Sequence, residues 1–597
     1  MPGTQGKNMG PGKGRVPSAP KARPTAVGDF LAKLRRKRII EILTGFVGGG
    51  WLVYEIIHWV LVEHYHFPEK LLDITLIILV STLLATLIWR WFSDRTKPRK
   101  FKPERLAVAL IFLVATVLVF NQFRNLKSLS AEPEVISRWK NSVAVLPFVD
   151  MSPQKDQEYF CDGMTEEIIT QLSRIEELKV ISRTSVVRYR DTQKSIKEIA
   201  GELGVAHILE GSIRRENNLI RVTAQLIDAK SGFHIWADKY DRKLSGVFAI
   251  QDEISQAIAT ALKVRISSEA IKAQKSRRPD DMKLYEAYLQ GMYFINSRYV
   301  VTYREEDFLK ALDHFNEARE IDPNYALTYL GLAWAYWHKY SLTYHPEDLN
   351  QVVRYGEKAY QLDPGYSGTN LAKGFNHFLS GQYDQAFEKY RVAFREGPGS
   401  HMVLTGIGYS LSELGLYETA VPFFLKSIEL APFYIFSRTI LATCYRVLGD
   451  FEKSELYLKE AFNLNPRNPF CLGNLAKHMI QVGRYDEAEK LLRELEIIEP
   501  GFWVLTEYKA QLYAAIGEKE KALSLNKSAV VYALLGLKEE ALQAMQKEIS
   551  EGTFYPYLRL INDPAFINLR GEPQFEIIVS RAKQVHETFL KKYGHYF

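Results

Sequence analysis

The sequence predicts a multi-domain chain of three transmembrane helices, a small α/β domain and an all-α repeat solenoid. Three observations carry this. Five glycines (Gly381, Gly415, Gly449, Gly483 and Gly517) and five prolines (Pro364, Pro398, Pro432, Pro466 and Pro500) each recur every 34 residues, the length of a helix–turn–helix repeat that stacks into a solenoid. Three apolar runs within the first 123 residues approach the roughly 17–25 residues that cross a bilayer core. Between these regions the hydrophobic period switches from that of strands to that of helices, the signature of a sheet covered by helices.

Residues 1–38 are rich in Gly, Pro, Lys and Arg and poor in large apolar groups. They predict a disordered basic tail, ending in the cluster Lys33, Arg35, Arg36, Lys37 and Arg38 without a small-residue cleavage site. The predicted membrane region, 39–123, has spans at about Ile39–Val62, Leu71–Trp89 and Leu106–Phe123. The loop 90–105 is strongly basic, and Lys70 is the only Lys or Arg of the loop 63–70. Basic short loops stay in the cytoplasm. Three spans therefore place the amino terminus inside and everything after about residue 124 outside, in the periplasm of a bacterium. Glu55 and His58, one helical turn apart within the first span, are candidate intramembrane functional groups, but packing against partner helices or a place near the outer interface is the favoured reading, since no other span offers a matching polar partner.

The chain carries a net charge of +7, but the excess of Lys and Arg lies before about residue 140. The remainder is slightly acidic, which argues against nucleic acid as a partner. Cys161, Cys444 and Cys471 are too few and too scattered for a disulfide framework or a zinc site, and read as buried thiols.

After a linker over 124–140, the segment 141–268 reads β-α-β-α-β-β-β-α. Val143–Phe148 is a short buried strand. Asp162 is placed to cap a helix over Gly163–Glu176, with Glu166 and Glu167 in its first turn. Leu178–Ser182 is the next strand and Ser195–Leu203 a short helix closed by Gly204. The alternating runs Ala206–Arg214, Leu219–Asp228 and Phe233–Tyr240 are joined by Asn- and Gly-rich turns, and a last amphipathic helix spans about Val247–Val264. Asp150, Glu158, Asp162, Glu166 and Glu167 cluster around a helix start, where an acid/base pair would be conceivable; capping and dipole compensation account for them without chemistry. Arg183, Arg188 and Arg190 suit either an anionic ligand or a solvated loop. No phosphate-cradling loop, paired metal-binding histidines or nucleophile elbow is present.

The stretches Ser142-Val-Ala-Val-Leu-Pro-Phe148, Glu158-Tyr-Phe-Cys-Asp-Gly-Met-Thr-Glu-Glu167, Gly204-Val-Ala-His-Ile-Leu-Glu-Gly-Ser-Ile-Arg214 and Leu226-Ile-Asp-Ala-Lys-Ser-Gly232 together resemble the TolB-like (TolB amino-terminal-like) domain, which in bacteria is commonly followed by tetratricopeptide repeats. Some members carry a nucleotide cyclase, a kinase or a winged helix at the amino end. No such segment is recognised here, so the resemblance implies neither a catalytic nor a DNA-binding output.

Residues 281–597 are similar to the tetratricopeptide family, most strongly over 367–500. Tyr383, Tyr417, Phe451 and Tyr485 follow their glycines by two, and Ala386, Ala420 and Ala488 sit where second helices pack close. The step from Pro323 to Pro364 is 41, so seven residues are inserted near 338–350. The ending, Asp563-Pro-Ala-Phe566 to Phe575, resembles the terminal segment of such arrays, which must cover the last apolar face. The resemblance implies that the ninth position of each unit points into a peptide-binding groove: Phe375, Tyr409, Thr443, Lys477 and Gln511, graded from aromatic to polar. The expected function is a membrane-anchored scaffold or sensor that binds protein or peptide segments through this groove and the TolB-like domain. The alternative is a transmembrane subunit relaying periplasmic binding to a separate cytoplasmic enzyme. No enzyme activity, cofactor, metal, nucleic acid or small-molecule substrate is expected; the partners are proteins or peptides and, through the spans, the lipid bilayer.

Overall fold

The structure, a computed structural model, describes residues 34, 38–60, 70–92, 114, 116, 140–175, 177–264, 275–300, 304–343 and 345–596. It divides into two units, 1–134 and 135–597. Nearly all of the basic tail, of the predicted third span and of the linker, and most of the short loops, lie outside the described residues.

In the first unit, α1 (Ile39–Ile57) packs against α2 (Lys70–Phe92). Among the described residues no helix is long and apolar enough to cross a membrane, which corrects the expectation of three transmembrane helices. The physical reason lies in the placement of charge. In sequence, α1 is free of charge only between Glu41 and Glu55, and α2 only between Asp73 and Arg90. Both stretches fall short of the roughly 20 residues that span ~30 Å of hydrocarbon. Three adjacent glycines, Gly48, Gly49 and Gly50, further dilute the first.

The second unit begins with a sheet. Strands β1 (Ser142–Val145), β2 (Val149–Asp150), β3 (Lys179–Val180), β4 (His207–Glu216), β5 (Leu219–Asp228) and β6 (His234–Lys243) are interleaved with helices α3 (Glu158–Leu172), α4 (Arg183–Val186), α5 (Ile196–Leu203) and α6 (Val247–Ala261). The spatial order is β3-β1-β4-β5-β6, with β2 beside β4. The pairs around β1 and β2 are parallel and those of β4, β5 and β6 antiparallel. Parallel neighbours need crossovers and antiparallel ones only turns; α3 and α5 supply the crossovers. Ser195 forms a capping box with Glu198 at the start of α5, and Gly204 ends that helix in the left-handed conformation, the conformation glycine adopts at least cost. Val143, Ile168, Leu172, Ile208, Val222 and Ile254 form the centre of the core and are fully buried.

Gly211 lies in mid-strand β4, where a Cβ would approach Thr223 O to 2.5 Å and press on the Phe148 ring. Gly211→Ala is expected to destabilise the sheet domain by about 1–3 kcal/mol through overpacking, read as a lower midpoint in denaturant unfolding followed by far-UV circular dichroism.

The solenoid is a run of helix pairs: α7 (Met282–Tyr293) with α8 (Glu305–Ile321), α9 (Ala326–Thr343) with α10 (Pro346–Leu362), α11 (Ser367–Leu379) with α12 (Tyr383–Glu396), α13 (His401–Glu413) with α14 (Tyr417–Leu430), α15 (Ile435–Val447) with α16 (Phe451–Leu464), α17 (Pro469–Gln481) with α18 (Tyr485–Ile498), and α19 (Leu505–Ala515) with α20 (Lys519–Leu525). Gly381, Gly415, Gly449, Gly483 and Gly517 join first to second helix with φ between +70° and +86°. That region penalises a Cβ, which is why the 34-residue series is one of glycine. From α11 on, successive first helices pack against one another more closely than successive second helices, so the first helices line the inside of the array. Where the step is 41, α9 is extended to 18 residues against the 13 of α11.

The terminal segment continues through α21 (Ala529–Leu534), α22 (Lys538–Ser550), α23 (Tyr557–Asn562) and α24 (Pro573–Tyr593). It covers the last repeat with Phe566 and Phe575 and also turns back along the array. Asn562 Nδ2 donates to Val447 O at 2.9 Å. Tyr593 stacks on Phe387 at 4.5 Å, and Lys592 pairs with Asp384 at 2.7 Å.

Candidate functional site

The sheet domain and the solenoid form one unit, and the joint between them encloses the candidate site. On one side Ser182 N donates to Leu430 O at 2.8 Å, Phe433 N donates to Ser185 Oγ at 3.1 Å, and the Arg188 guanidinium sits 4.2 Å from the Phe433 ring centre. On the other, Arg183 donates to Asp162 at 2.6 Å and to Ser297 Oγ at 2.5 Å, and Ser297 donates on to Asp162 at 2.8 Å. Arg190 pairs with both Asp162 and Glu158, while Tyr293 OH donates to Glu158 at 2.8 Å. Helix α3 starts at Glu158, so Asp162 lies inside the helix rather than at its cap. It is buried between two guanidinium groups, with Arg183 only 7% exposed. Arg183 and Arg190 are therefore taken up by Asp162, Arg183 also reaches Ser297 of the solenoid, and the exposed Arg188 lies over the Phe433 ring. Asp150 is likewise structural, accepting from Ser152 N at 2.8 Å and Gln157 N at 2.9 Å.

Between these contacts lies a cavity of about 380 Å³, lined from the sheet side by Glu166, Thr170, Arg174 and Thr184 and from the solenoid by an aromatic wall. Trp337 meets Phe375 edge to face at 4.9 Å and Tyr409 at 6.5 Å; Tyr409 meets Phe436 at 6.0 Å, and Phe436 meets Tyr434 at 6.3 Å. His401 closes the row, T-shaped to Tyr434 at 5.1 Å. Burial holds the His401 imidazole down at about 4, so it is neutral at physiological pH. Glu166 lines the cavity, with 43% of its side-chain surface exposed. The surrounding protein nevertheless strips bulk water from it and raises its pKa, against the opposing pull of Arg183.

Of the five expected groove residues, Phe375 and Tyr409 line this cavity. Thr443 does not; its hydroxyl lies 3.2 Å from Asn474 Oδ1. Lys477 and Gln511 are buried and hydrogen-bonded to each other, in a cluster with Asp563, Arg559 and Arg446. Burial lowers Lys477 to about 8, with Asp563 opposing that shift. Burial alone would raise Asp563, but Lys477 and Arg559 outweigh it and hold the carboxyl below its usual range. The polar half of the groove is thus occupied by the chain's own terminal segment, and the aromatic half is open. The single-position column passed over Trp337, Tyr434, Phe436 and His401. A signal existed for three of them: Trp337 stands next to the insertion, and Tyr434 and Phe436 follow Pro432 by two and four.

The described residues contain no group of three or more His, Cys, Asp or Glu able to hold a metal ion. Cys161, Cys444 and Cys471 are free and buried, and burial raises each thiol. His207 Nδ1 lies 2.9 Å from Ser142 O, a structural hydrogen bond between β4 and β1.

Comparison with known proteins bears on both halves of this unit. Residues 448–503 and 403–434 match tetratricopeptide repeat models, and the chain carries tetratricopeptide repeats. Residues 139–258 match the model for the second domain of HilA/YgeH-like transcriptional regulators. Over 206 residues the chain is 37% identical to the protein named "Putative adenylate cyclase 3" of Rhizobium meliloti (strain 1021), covering 34% of each. It is 28% identical over 123 residues to the TPR repeat-containing protein YpiA of Bacillus subtilis (strain 168), covering 21% of this chain and 29% of that one. The chain thus spans about a third of the length of the curated relatives it matches. Similar solved chains include YrrB, titled a TPR protein with an unusual peptide-binding site (18% identity, 33% of this chain and 97% of that, TM-score 0.23), and PilF of Pseudomonas aeruginosa (18% identity, 39% and 99%, TM-score 0.28). At these TM-scores the likeness carries no argument about this chain.

Proposed function

We propose that this protein is an interaction scaffold or sensor that captures a protein or peptide segment at the aromatic half of its repeat groove, with a TolB-like domain as the opposing wall. One observation carries the reading: Phe375 and Tyr409, on the inner helices α11 and α13, border an open cavity that the sheet domain walls on its other side. Apolar pockets with a few polar groups are where binding concentrates, and buried aromatic anchors supply most of the energy of such interfaces. Thr443, Lys477 and Gln511 take no part in first capture; Thr443 pairs within the array, and Lys477, bonded to Gln511, faces Asp563 of the terminal segment. The likenesses to a domain of transcriptional regulators and to a protein named an adenylate cyclase suit a module that stands beside different outputs; here the work is binding and not catalysis.

The test is capture of a partner by the purified, full-length chain. Phe375→Ala with Tyr409→Ala is expected to weaken capture by about 30-fold or more, since truncating anchor residues costs about 2 kcal/mol or more. An unchanged yield, with the repeat fold intact by circular dichroism, sinks the reading.

A further inference from the structure

Strand β6 lies at one end of the sheet order, and among the described residues it pairs with β5 alone. Its main chain has a definite orientation there. Leu244 N donates to Asn218 O at 2.9 Å, and this pair continues the register that sets Leu219 opposite Lys243. In an antiparallel ladder the bonded residues alternate. The even-numbered residues 238–244 therefore bond to β5, while Ala237, Lys239, Asp241 and Lys243 turn their N–H and C=O groups outward. Two side-chain bonds agree with this: Lys239 N donates to Asp238 Oδ1 at 2.8 Å, and Asp241 O accepts from Arg242 Nη1 at 3.1 Å.

An outward row of such groups is a template for another strand, and the order of charges selects which one. Along Ala237-Asp-Lys-Tyr-Asp-Arg-Lys243 every residue except Tyr240 is exposed. A second copy set antiparallel about a twofold axis at Tyr240 places Lys239 opposite the partner's Asp241 and Asp238 opposite the partner's Arg242, each twice. The main-chain bonds then join 239 to 241 and 237 to 243, all from the outward set. Moving the axis by one residue spoils the match. On Lys239 it sets that lysine against itself; on Asp241 it sets Asp241 against itself and Lys239 against Lys243. Like charges directly opposite are destabilising. Asp241 already pairs with Arg221 at 2.6 Å and Arg242 with Glu253 at 3.4 Å, but all four side chains are about half exposed and stay open to a second partner.

We propose that β6 is a dimerisation edge, at which two copies of this chain join their sheets antiparallel through residues 237–243 in the register centred on Tyr240.

Sedimentation velocity of the full-length chain tests this. A monomer–dimer equilibrium is expected, weakened by salt because exposed charge pairs are screened. Lys239→Glu sets a carboxylate against the partner's Asp241 twice per dimer and is expected to raise the dissociation constant about tenfold or more. Register is read by cysteine pairs. Chains carrying Asp238→Cys, mixed with chains carrying Arg242→Cys, should form a mixed disulfide on mild oxidation, because directly opposed Cα atoms in a non-bonded pair lie about 4.5 Å apart, within reach of that bond. Either variant alone should not crosslink. The native cysteines are buried and do not compete. A chain still monomeric at about 100 μM overturns the proposal, and crosslinks from position 239 to a different protein would then assign the edge to a foreign strand. Dimers indifferent to Lys239→Glu, or disulfides formed by either cysteine variant alone in place of the mixed one, overturn it as well.

Discussion

Replacing Asp162 by alanine is expected to open the joint between sheet and solenoid, at a cost of about 3–5 kcal/mol, the penalty for removing one partner of a buried ion pair. Asp162 faces Arg183 and Arg190 and accepts from Ser297. Alanine leaves two guanidinium groups in a poorly hydrated joint, with Arg183 only 7% exposed. The penalty exceeds that for a surface pair because water does not reach in to replace the lost carboxylate. Asp162→Asn keeps the volume and one acceptor and should cost less. Hydrogen exchange reads the result: amides of 182–190 and 294–299 should lose protection in Asp162→Ala, while Val143–Val145 and the repeats beyond α15 keep theirs. Unchanged protection at the joint contradicts the role given to Asp162. The aromatic cavity depends on the same joint, so the variant should also lose binding at Tyr409 without any change to the wall itself.

The second large effect is expected at Asp563. Asp563→Ala removes the carboxylate that faces Lys477 and Arg559, leaving the buried Lys477 without its strongest opposing charge and with Glu507 alone in that role, at a cost of about 3 kcal/mol. The terminal segment should detach from α15 and α17 and be cut by protease within 557–569, whereas the wild-type chain resists. The dependence on pH has two parts. The folded-state pKa of Asp563 lies below its usual value, so its contribution is present above about pH 4 and is lost as the pH falls through the folded value. The folded-state pKa of Lys477 is lowered to about 8. Between about pH 8 and pH 10.5 the unfolded chain therefore binds more protons than the folded one, and the contribution of Lys477 to global stability rises with pH through that window. Lys477→Met should abolish the alkaline part and retain the segment better than Asp563→Ala, because methionine fills the same space without a charge.

What the sequence reveals, and what it hides, follows from the range over which each constraint acts. The 34-residue glycine series is local chemistry, one left-handed turn per unit, and it maps directly onto helix pairs. Phe375 and Tyr409 sit at one register position in two such pairs, so periodicity points to them. Lys477 and Gln511 occupy the same register, yet a segment that returns from residue 563 covers them. No period within a repeat encodes that return. Asp162 misleads for a similar reason: an acidic residue before Gly163 reads as a cap, but α3 begins at Glu158 and the true partner of Asp162 is Arg183, 21 residues on. The apolar runs of the first unit show the opposite limit. Hydropathy marks α1 and α2, but the charges at Glu41, Glu55, Asp73 and Arg90 interrupt runs that composition blurs together.

The central claim is a divided groove, open where it is aromatic and self-occupied where it is polar. Site-specific photocrosslinking in cells tests it directly, with a benzoylphenylalanine at position 409 in one strain and at position 511 in another. The account predicts adducts to another protein from position 409, and from position 511 only a crosslink to the chain's own terminal segment. Partner adducts from position 511, with none from position 409, would contradict it.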